Sequence, residues 1–90
     1  MDNSALSQSQ WKGFARGLIR SELIRRNIDA GGLAEIMRSK GIGEYSPEQV
    51  KTRLSRGEFS TVFLLQALCA LDVSQIELRH IHRRINEESS

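Results

Sequence analysis

The sequence predicts an all-α protein, a compact bundle of five helices, and three observations support this prediction. Apolar residues recur at intervals of three and four residues, which is the spacing of one face of an α-helix. Helix breakers are few, because the 90 residues include only one proline and seven glycines. Four positions carry a side chain that can cap the start of a helix: Asp29, Ser46, Ser60 and Ser74. A chain of this length has room for one domain.

The first helix is predicted over residues 10–27, after a polar segment, residues 1–10, that we expect to be a flexible tail. Its apolar side chains return every three or four residues and form one stripe: Trp11, Phe14, Ala15, Leu18, Ile19 and Leu23. The helical domain is expected to cover residues 11–86, followed by a frayed C-terminus over residues 87–90.

The second helix is predicted to start after Asp29, whose carboxylate can cap it. The glycines at positions 31 and 32 lie in its first turn, which therefore either frays or packs closely against a neighbour. The helix is expected to end near Lys40, because residues 41–43 read Gly-Ile-Gly. Its buried stripe consists of Leu33, Ile36 and Met37.

The third helix has the clearest start signal in the chain and is predicted over residues 47–56. Ser46 is the N-cap, Pro47 occupies the first helical position and Gln49 can close a capping box. Tyr45 and Val50 occupy the two positions of a hydrophobic staple. Apart from Val50 and Leu54 its surface is polar, so this helix faces either water or a polar partner.

The last two helices are predicted from Ser60 and from Ser74. The segment after Ser60 is apolar nearly all round, which predicts a central buried helix with Cys69 as a core residue. Ser74 and Glu77 form a second capping box that is expected to open the fifth helix. One face of that helix carries Leu78, Ile81 and Ile85.

No pattern of residues predicts an enzyme, a metal site or a cofactor. His80 and His82 are two positions apart and point to different sides of a helix, so they cannot hold one ion together. Residues 41–43 lack the third glycine and the preceding strand of a dinucleotide-binding loop. We find no apolar run near the ~18 residues of a membrane span and no secretory signal, and a lone Cys69 forms no internal disulfide. These features predict a cytoplasmic protein.

Positive charge is concentrated in the first part of the chain. Residues 1–57 contain ten Lys and Arg against six Asp and Glu, a net charge of +4, whereas residues 58–90 contain three against five, a net charge of −2. This asymmetry favours an anionic partner for the N-terminal part, although a solvated charged surface explains it equally well.

A series of apolar and small residues between positions 18 and 73 follows the pattern of a known family. They are Ile28, Leu33-Ala34, Leu54-Ser55-Arg56-Gly57, Phe59-Ser60, Leu64-Leu65 and the run from Ala67 to Val73. In these residues the chain resembles the lambda repressor and Cro-like family of helix-turn-helix domains, and also small uncharacterised bacterial repressor-like domains. It departs from that family in two places. Twelve positions separate Ala34 from Ser46, more than the family has, and Ala30-Gly31-Gly32 replaces the polar residues that usually open the motif.

The resemblance implies sequence-specific binding of double-stranded DNA by a dimeric transcription regulator, with the helix over residues 47–56 in the major groove. The base-contacting residues it implies are Ser46, Gln49, Thr52 and Arg53. The backbone-contacting residues are Lys51, Arg56, Arg16 and Arg20. A homodimer could form through the C-terminal helix, at Leu78, Ile81 and Ile85.

A protein interaction module on the same fold, such as an antitoxin-like subunit, is the alternative interpretation. Its interface would centre on apolar or aromatic side chains, for which Trp11, Ile42 and Tyr45 are the candidates. RNA binding is less favoured, because no set of aromatic residues forms a stacking face.

Overall fold

The computed structural model describes residues 6–89, and in this range the chain forms five α-helices and no strand. The helices are α1 (Gln8–Arg26), α2 (Ala30–Ser39), α3 (Pro47–Arg56), α4 (Thr61–Ala70) and α5 (Arg79–Ser89). The prediction of an all-α protein is therefore confirmed. Within the described range, none of these helices is both long and apolar enough to cross a lipid bilayer.

The start of α3 has the predicted capping box. The Gln49 backbone N–H donates to Ser46 Oγ at 3.1 Å, and the Ser46 N–H donates to Gln49 Oε1 at 2.8 Å. The helix ends at Gly57, which adopts the left-handed conformation with φ of 66°. Asp29 and Ser60 cap α2 and α4 as predicted. These three helices are bounded by local chemistry that the sequence displays directly.

The N-terminal end of α1 differs from the prediction of a tail over residues 1–10. Ser7 and Gln10 form a capping box of their own, so the helix begins at Gln8. Leu6 is buried, with 3% of its surface exposed. The prediction of a flexible tail is therefore wrong for residues 6–10. The Ser-x-x-Gln pattern of residues 7–10 starts a helix by the same capping chemistry as the pattern at Ser46. Residues 1–5 lie outside the described part of the chain.

The predicted start of the fifth helix at Ser74 is also wrong. Residues 73–78 form no regular element, and α5 begins at Arg79. The side chain of Glu77, expected to close a capping box, instead accepts a hydrogen bond from the Arg79 N–H at 3.2 Å. The helix then continues to Ser89, past the frayed end predicted from residue 87, and Ser90 lies outside the described residues.

The core lies where α1, α2, α3 and α4 meet. The helix pairs that pack closely are α2 with α3, α2 with α4 and α1 with α4. Among the described residues, its largest fully buried side chains are Phe63, Ile19, Leu33, Met37 and Val50. Gly32 lies against Ile28, since a Cβ added at Gly32 would be 3.1 Å from Ile28 Cβ. The first turn of α2 is helical and capped by Asp29, and the close contact at Gly32 is with Ile28 just before the helix, not with another helix.

Helix α4 is not buried all round, which corrects the prediction of a central helix with Cys69 in the core. Phe63, Ala67, Leu68 and Ala70 are buried, whereas Val62 is 60% and Leu65 is 53% exposed. Cys69 is exposed as well. The buried residues of α4 face the core that it forms with α1 and α2, and Tyr45 also contacts Phe63, whereas the side with Val62, Leu65 and Cys69 is left exposed. Hydrophobicity alone did not distinguish a helix buried on all sides from one with an apolar outer face.

The C-terminal end of α4 is capped by two cations, one from the end of α1 and one from the residue that follows α2. Arg26 Nη2, at the end of α1, donates to the Leu71 carbonyl at 2.6 Å. Lys40 Nζ donates to the Ala70 carbonyl at 2.6 Å and to Asp72 Oδ1 at 3.0 Å. These positive charges compensate the negative end of the α4 dipole, whose own last turn has no basic residue.

The long spacing between Ala34 and Ser46 results from both a longer helix and a looser turn. Helix α2 continues to Ser39, and residues 40–46 then form the connection to α3. Gly41 and Gly43 adopt positive φ angles of 69° and 74° in this connection. At its end, the Tyr45 hydroxyl donates to Gln66 Oε1 of α4 at 2.8 Å. The connection is therefore held to the core by a tertiary hydrogen bond.

The two glycines of this connection make a matched pair for mutation. Gly43→Ala is expected to destabilise the protein by more than Gly41→Ala, because a Cβ at Gly43 would lie 2.7 Å from Tyr45 Cε2 while a Cβ at Gly41 meets nothing within 4 Å. Gly41→Ala should cost about 1–2 kcal/mol from the left-handed backbone alone. Urea denaturation followed by circular dichroism measures both, and equal losses of stability would show that Tyr45 does not hold this turn.

Candidate nucleic-acid interface

The outer face of α3 is polar and exposed. Val50 and Leu54 anchor the helix in the core and are both buried. The opposite side carries the exposed residues Glu48, Lys51, Thr52, Ser55 and Arg56. We call these five residues the α3 outer face. Lys51 and Arg56 form no ion pair with any side chain that the structure describes, so both positive charges are available to an anionic partner.

Two predicted base-contacting residues, Ser46 and Gln49, are occupied by the capping box at the start of α3. Each side chain accepts a hydrogen bond from the backbone of the other residue. Both residues are exposed, so a partner can reach them. A contact that required either side chain to turn outward would remove a cap, which is typically worth about 1 kcal/mol.

Arg53, the third predicted base-contacting residue, packs inward. Its guanidinium carbon lies 4.8 Å from the centre of the Tyr45 ring and 5.6 Å from that of Phe63. Its Nη1 donates to the Gln49 carbonyl at 3.3 Å. Such cation–π contacts contribute about 0.5–2 kcal/mol, depending on how far they are removed from water. Arg53 therefore connects α3 both to the preceding turn and to α4. Thr52, the remaining predicted base-contacting residue, is exposed at the centre of the α3 outer face.

Two basic residues of α1, Lys12 and Arg16, lie at the C-terminal end of α3. Arg16 Nη1 donates to the Ser55 carbonyl at 3.0 Å, which also places a positive charge at the negative end of the α3 dipole. Lys12 Nζ lies 3.9 Å from Glu58 Oε1, just beyond that end. Arg20, one helical turn after Arg16, is exposed and has no ion-pair partner among the described residues.

The charges of this surface differ between the two ends of α3. The N-terminal end has two exposed carboxylates, Glu44 in the turn and Glu48 in the first helical turn. The exposed cations are Lys51 at the middle of the helix and Arg56 at its end, and Arg16 lies beside that end. The positive charges of the α3 outer face therefore lie from the middle of the helix to its C-terminal end, away from the carboxylates at its start.

The cluster of Tyr45, Arg53 and Phe63 was missed by sequence reasoning. The Tyr45 ring meets the Phe63 ring edge-on, with centroids 5.0 Å apart. Phe63 lies on α4, and no local pattern links it to residues of α3 and the turn. The same holds for Arg16 and Ser55, which are 39 positions apart.

The described residues contain no group of three or more His, Cys, Asp or Glu side chains placed to hold a metal ion. His82 is exposed on α5. The side chain of His80 is outside the described part of the structure.

Comparison with known proteins assigns the chain to a family but not to an activity. Neither the curated proteins nor the solved structures contain a match to this sequence. Residues 11–76 match a family described as a domain of unknown function, DUF6471. These residues include α1 from Trp11, the whole of α2, α3 and α4, and the segment that follows α4. Since the match spans most of the chain and the entire packed core of four helices, this protein belongs to the DUF6471 family.

Proposed function

We propose that this protein binds double-stranded DNA through the α3 outer face and acts as a sequence-specific transcription regulator of the repressor-like helix-turn-helix type. The observation that carries the proposal is the arrangement of α2 and α3, two helices that follow each other in the chain. The two helices pack against each other while α3 turns a polar side with two unpaired cations away from the core.

Lys51 and Arg56 are the proposed contacts to phosphates, together with Arg20 on α1. Thr52 is the proposed contact to a base edge, since a hydroxyl can serve as donor or acceptor in the major groove. We assign Arg16 a positioning role, because it already donates to the Ser55 carbonyl. Ser46, Gln49 and Arg53 stay in the proposal as base contacts that form only when each side chain leaves its present partner.

Titration of labelled duplex DNA with the full chain, followed by fluorescence anisotropy at two salt concentrations, tests this proposal. The observed affinity should fall with salt, with a logarithmic slope near −0.9 for each phosphate that is neutralised. Three phosphate contacts per copy predict a slope of about −3 for a monomer and about −5 for a dimer. An absence of binding at low salt would overturn the proposed function.

Glu48→Gln is expected to strengthen DNA binding. Its carboxylate lies on the same exposed face as Lys51 and Thr52, where it repels phosphates. Removing one negative charge there should raise the affinity several-fold at low salt and less at high salt, because the repulsion is screened. The same anisotropy titration measures the change. Glu35→Gln on α2 is the control and should leave the affinity unaltered; an equal gain in both variants would place the DNA elsewhere.

The active form is proposed to be a homodimer, with the C-terminal helix and its residues Leu78, Ile81 and Ile85 at the interface. Two copies would present two α3 helices about 34 Å apart, the spacing of successive major grooves on one side of the duplex. Leu78 is 45% exposed, and Ile81 and Ile85 are partly exposed, which leaves apolar surface for a second copy.

A protein partner is the second candidate function, and the outer side of α4 favours it. Val62 and Leu65 are more than half exposed, and Cys69 is exposed one turn further along the helix. An apolar stripe of this kind is typical of a helix that another protein covers. Salt-insensitive binding of a protein partner, lost in a Leu65→Asp variant, would support this candidate over DNA binding.

A further inference from the structure

Arg53 lies at the border between the core of the protein and the α3 outer face. Its two neighbours in the helix are Thr52, at the centre of that face, and the buried Leu54. Successive residues of an α-helix are rotated by about 100° around its axis, so Arg53 points between these two directions. Its side chain is half-buried accordingly. From this position the long side chain of an arginine can reach either the core or a partner on the outer face.

The guanidinium group of Arg53 is held by aromatic rings and not by an acid. Its Cζ lies 4.8 Å from the centre of the Tyr45 ring and 5.6 Å from that of Phe63. It forms no ion pair with a described side chain. Its one hydrogen bond in the described part of the chain runs from Nη1 to the Gln49 carbonyl, at 3.3 Å. A guanidinium has several N–H donors, so most of those of Arg53 are left for a partner.

The Tyr45 ring is fixed by contacts that do not involve Arg53. Its hydroxyl donates to Gln66 Oε1 at 2.8 Å, and its ring meets the Phe63 ring edge-on at 5.0 Å between centroids. The backbone of Gly43 lies against it as well, since a Cβ added there would be 2.7 Å from Tyr45 Cε2. The ring therefore stays in place when the guanidinium moves away from it.

We propose that the Tyr45 ring competes with DNA for the guanidinium of Arg53, and that Arg53 leaves the ring to pair with a guanine when α3 meets a matching sequence. The planar guanidinium can donate two parallel hydrogen bonds to O6 and N7 of guanine in the major groove. This inference rests on the proposed function, in which Arg53 contacts a base only after it leaves its present partner. It adds the base that is read and the residue that limits how strongly it is read.

The relative strength of the two contacts decides where Arg53 rests. A bidentate contact to the correct base discriminates against a wrong base by about 5–150-fold. A cation–π contact contributes about 2–30-fold. On these magnitudes the base contact outweighs the ring at a guanine, whereas at another base Arg53 stays on the ring. Because the ring is given up only at a guanine, Tyr45 lowers the preference of the protein for guanine by the strength of the cation–π contact.

Selection by the full chain from a pool of duplexes with randomised central base pairs tests the proposal. The guanine that the wild type selects and Arg53→Ala does not is the one assigned to Arg53. Fluorescence anisotropy then compares the selected duplex with one in which that base pair is replaced, and the ratio of the two affinities is the guanine preference. Tyr45→Leu should raise this preference by about 2–30-fold, because no ring competes with the base. The double variant Tyr45→Leu/Arg53→Ala should behave like Arg53→Ala.

Tyr45→Phe is the matched control. It removes the hydroxyl that donates to Gln66 but keeps an aromatic ring beside Arg53. Its guanine preference should equal that of the wild type. A gain in Tyr45→Phe equal to that in Tyr45→Leu would assign the effect to the hydrogen bond of the turn and would overturn the competition between ring and base.

A side-chain measurement on the wild type tests the same step without a substitution at Tyr45. In the free protein the Arg53 Nε–H resonance should be displaced by the ring currents of Tyr45 and Phe63. Addition of the selected duplex should remove that displacement. An Arg53 resonance that keeps its displacement in the complex would overturn the inference, since the guanidinium would still lie on the rings.

The outcomes separate this inference from the proposed function. Equal guanine preference in the wild type, Tyr45→Leu and Arg53→Ala would overturn the inference while DNA binding by the α3 outer face stood. An affinity that Tyr45→Leu lowers equally with and without Arg53 would give Tyr45 a structural role only, with the same consequence. A wild type that binds no duplex at low salt, or that selects no sequence from the pool, would overturn the inference together with sequence-specific DNA binding.

Discussion

Phe63→Ala is expected to reduce the free energy of unfolding by about 3–5 kcal/mol, the usual cost of removing a buried phenylalanine ring. Phe63 is 0% exposed, and its ring contacts Tyr45 edge-on and Phe59 at 5.4 Å between centroids. Arg53 lies over the same ring. The loss is a large part of the about 5–15 kcal/mol that stabilises a typical domain. Urea denaturation monitored by circular dichroism measures it.

The neighbouring residue provides the control. Val62 lies next to Phe63 on α4 but is 60% exposed, so Val62→Ala should change stability by no more than about 0.5 kcal/mol. If the two variants lost similar stability, the assignment of the inner and outer sides of α4 would be wrong.

The double variant Lys51→Ala/Arg56→Ala is expected to bind duplex DNA about 10–100-fold more weakly than the wild type at low salt. Each lost phosphate contact removes one contribution of about 0.9 to the logarithmic salt slope, so the slope per copy should fall by about two. Both side chains are exposed and form no ion pair in the described structure, so their removal should leave the fold intact. Fluorescence anisotropy over a range of salt concentrations measures both quantities.

Arg79→Ala/Arg83→Ala is the matched control for this experiment. It removes the same number of positive charges from the side of α5 opposite its apolar stripe. DNA binding should keep its salt slope in this variant. A loss equal to that of the α3 variant would indicate that net charge, and not the α3 outer face, determines the affinity.

Local chemistry explains why the boundaries of α2, α3 and α4 could be predicted. The capping box at Ser46 and Gln49 involves residues three positions apart, so the pattern is complete within a short stretch of sequence. The same rule applies at Ser7 and Gln10, although the polar composition of residues 1–10 is typical of a tail. At Ser74 and Glu77 the same spacing is present without a helix start, so the capping pattern alone does not determine where a helix begins.

The features that were not predicted depend on contacts between distant residues. Val62, Leu65 and Cys69 are as apolar as their buried neighbours on α4, and the positions of the other helices and of Tyr45 determine which side is covered. Arg16 and Arg53 look like free cations in the sequence. The structure gives the first a backbone carbonyl on α3 and the second two aromatic rings. The candidate site could therefore be located on α3, but its side chains could not be sorted into contacting and positioning residues.

The most direct test of DNA binding by the α3 outer face is a map of backbone amide chemical shifts. The isotope-labelled full chain would be titrated with duplex DNA at low salt. Our account predicts that the largest shift changes occur at Lys51, Thr52, Ser55 and Arg56, with smaller changes at the start of α3. Changes centred on Val62, Leu65 and Cys69 of α4, or no changes at any residue, would contradict it.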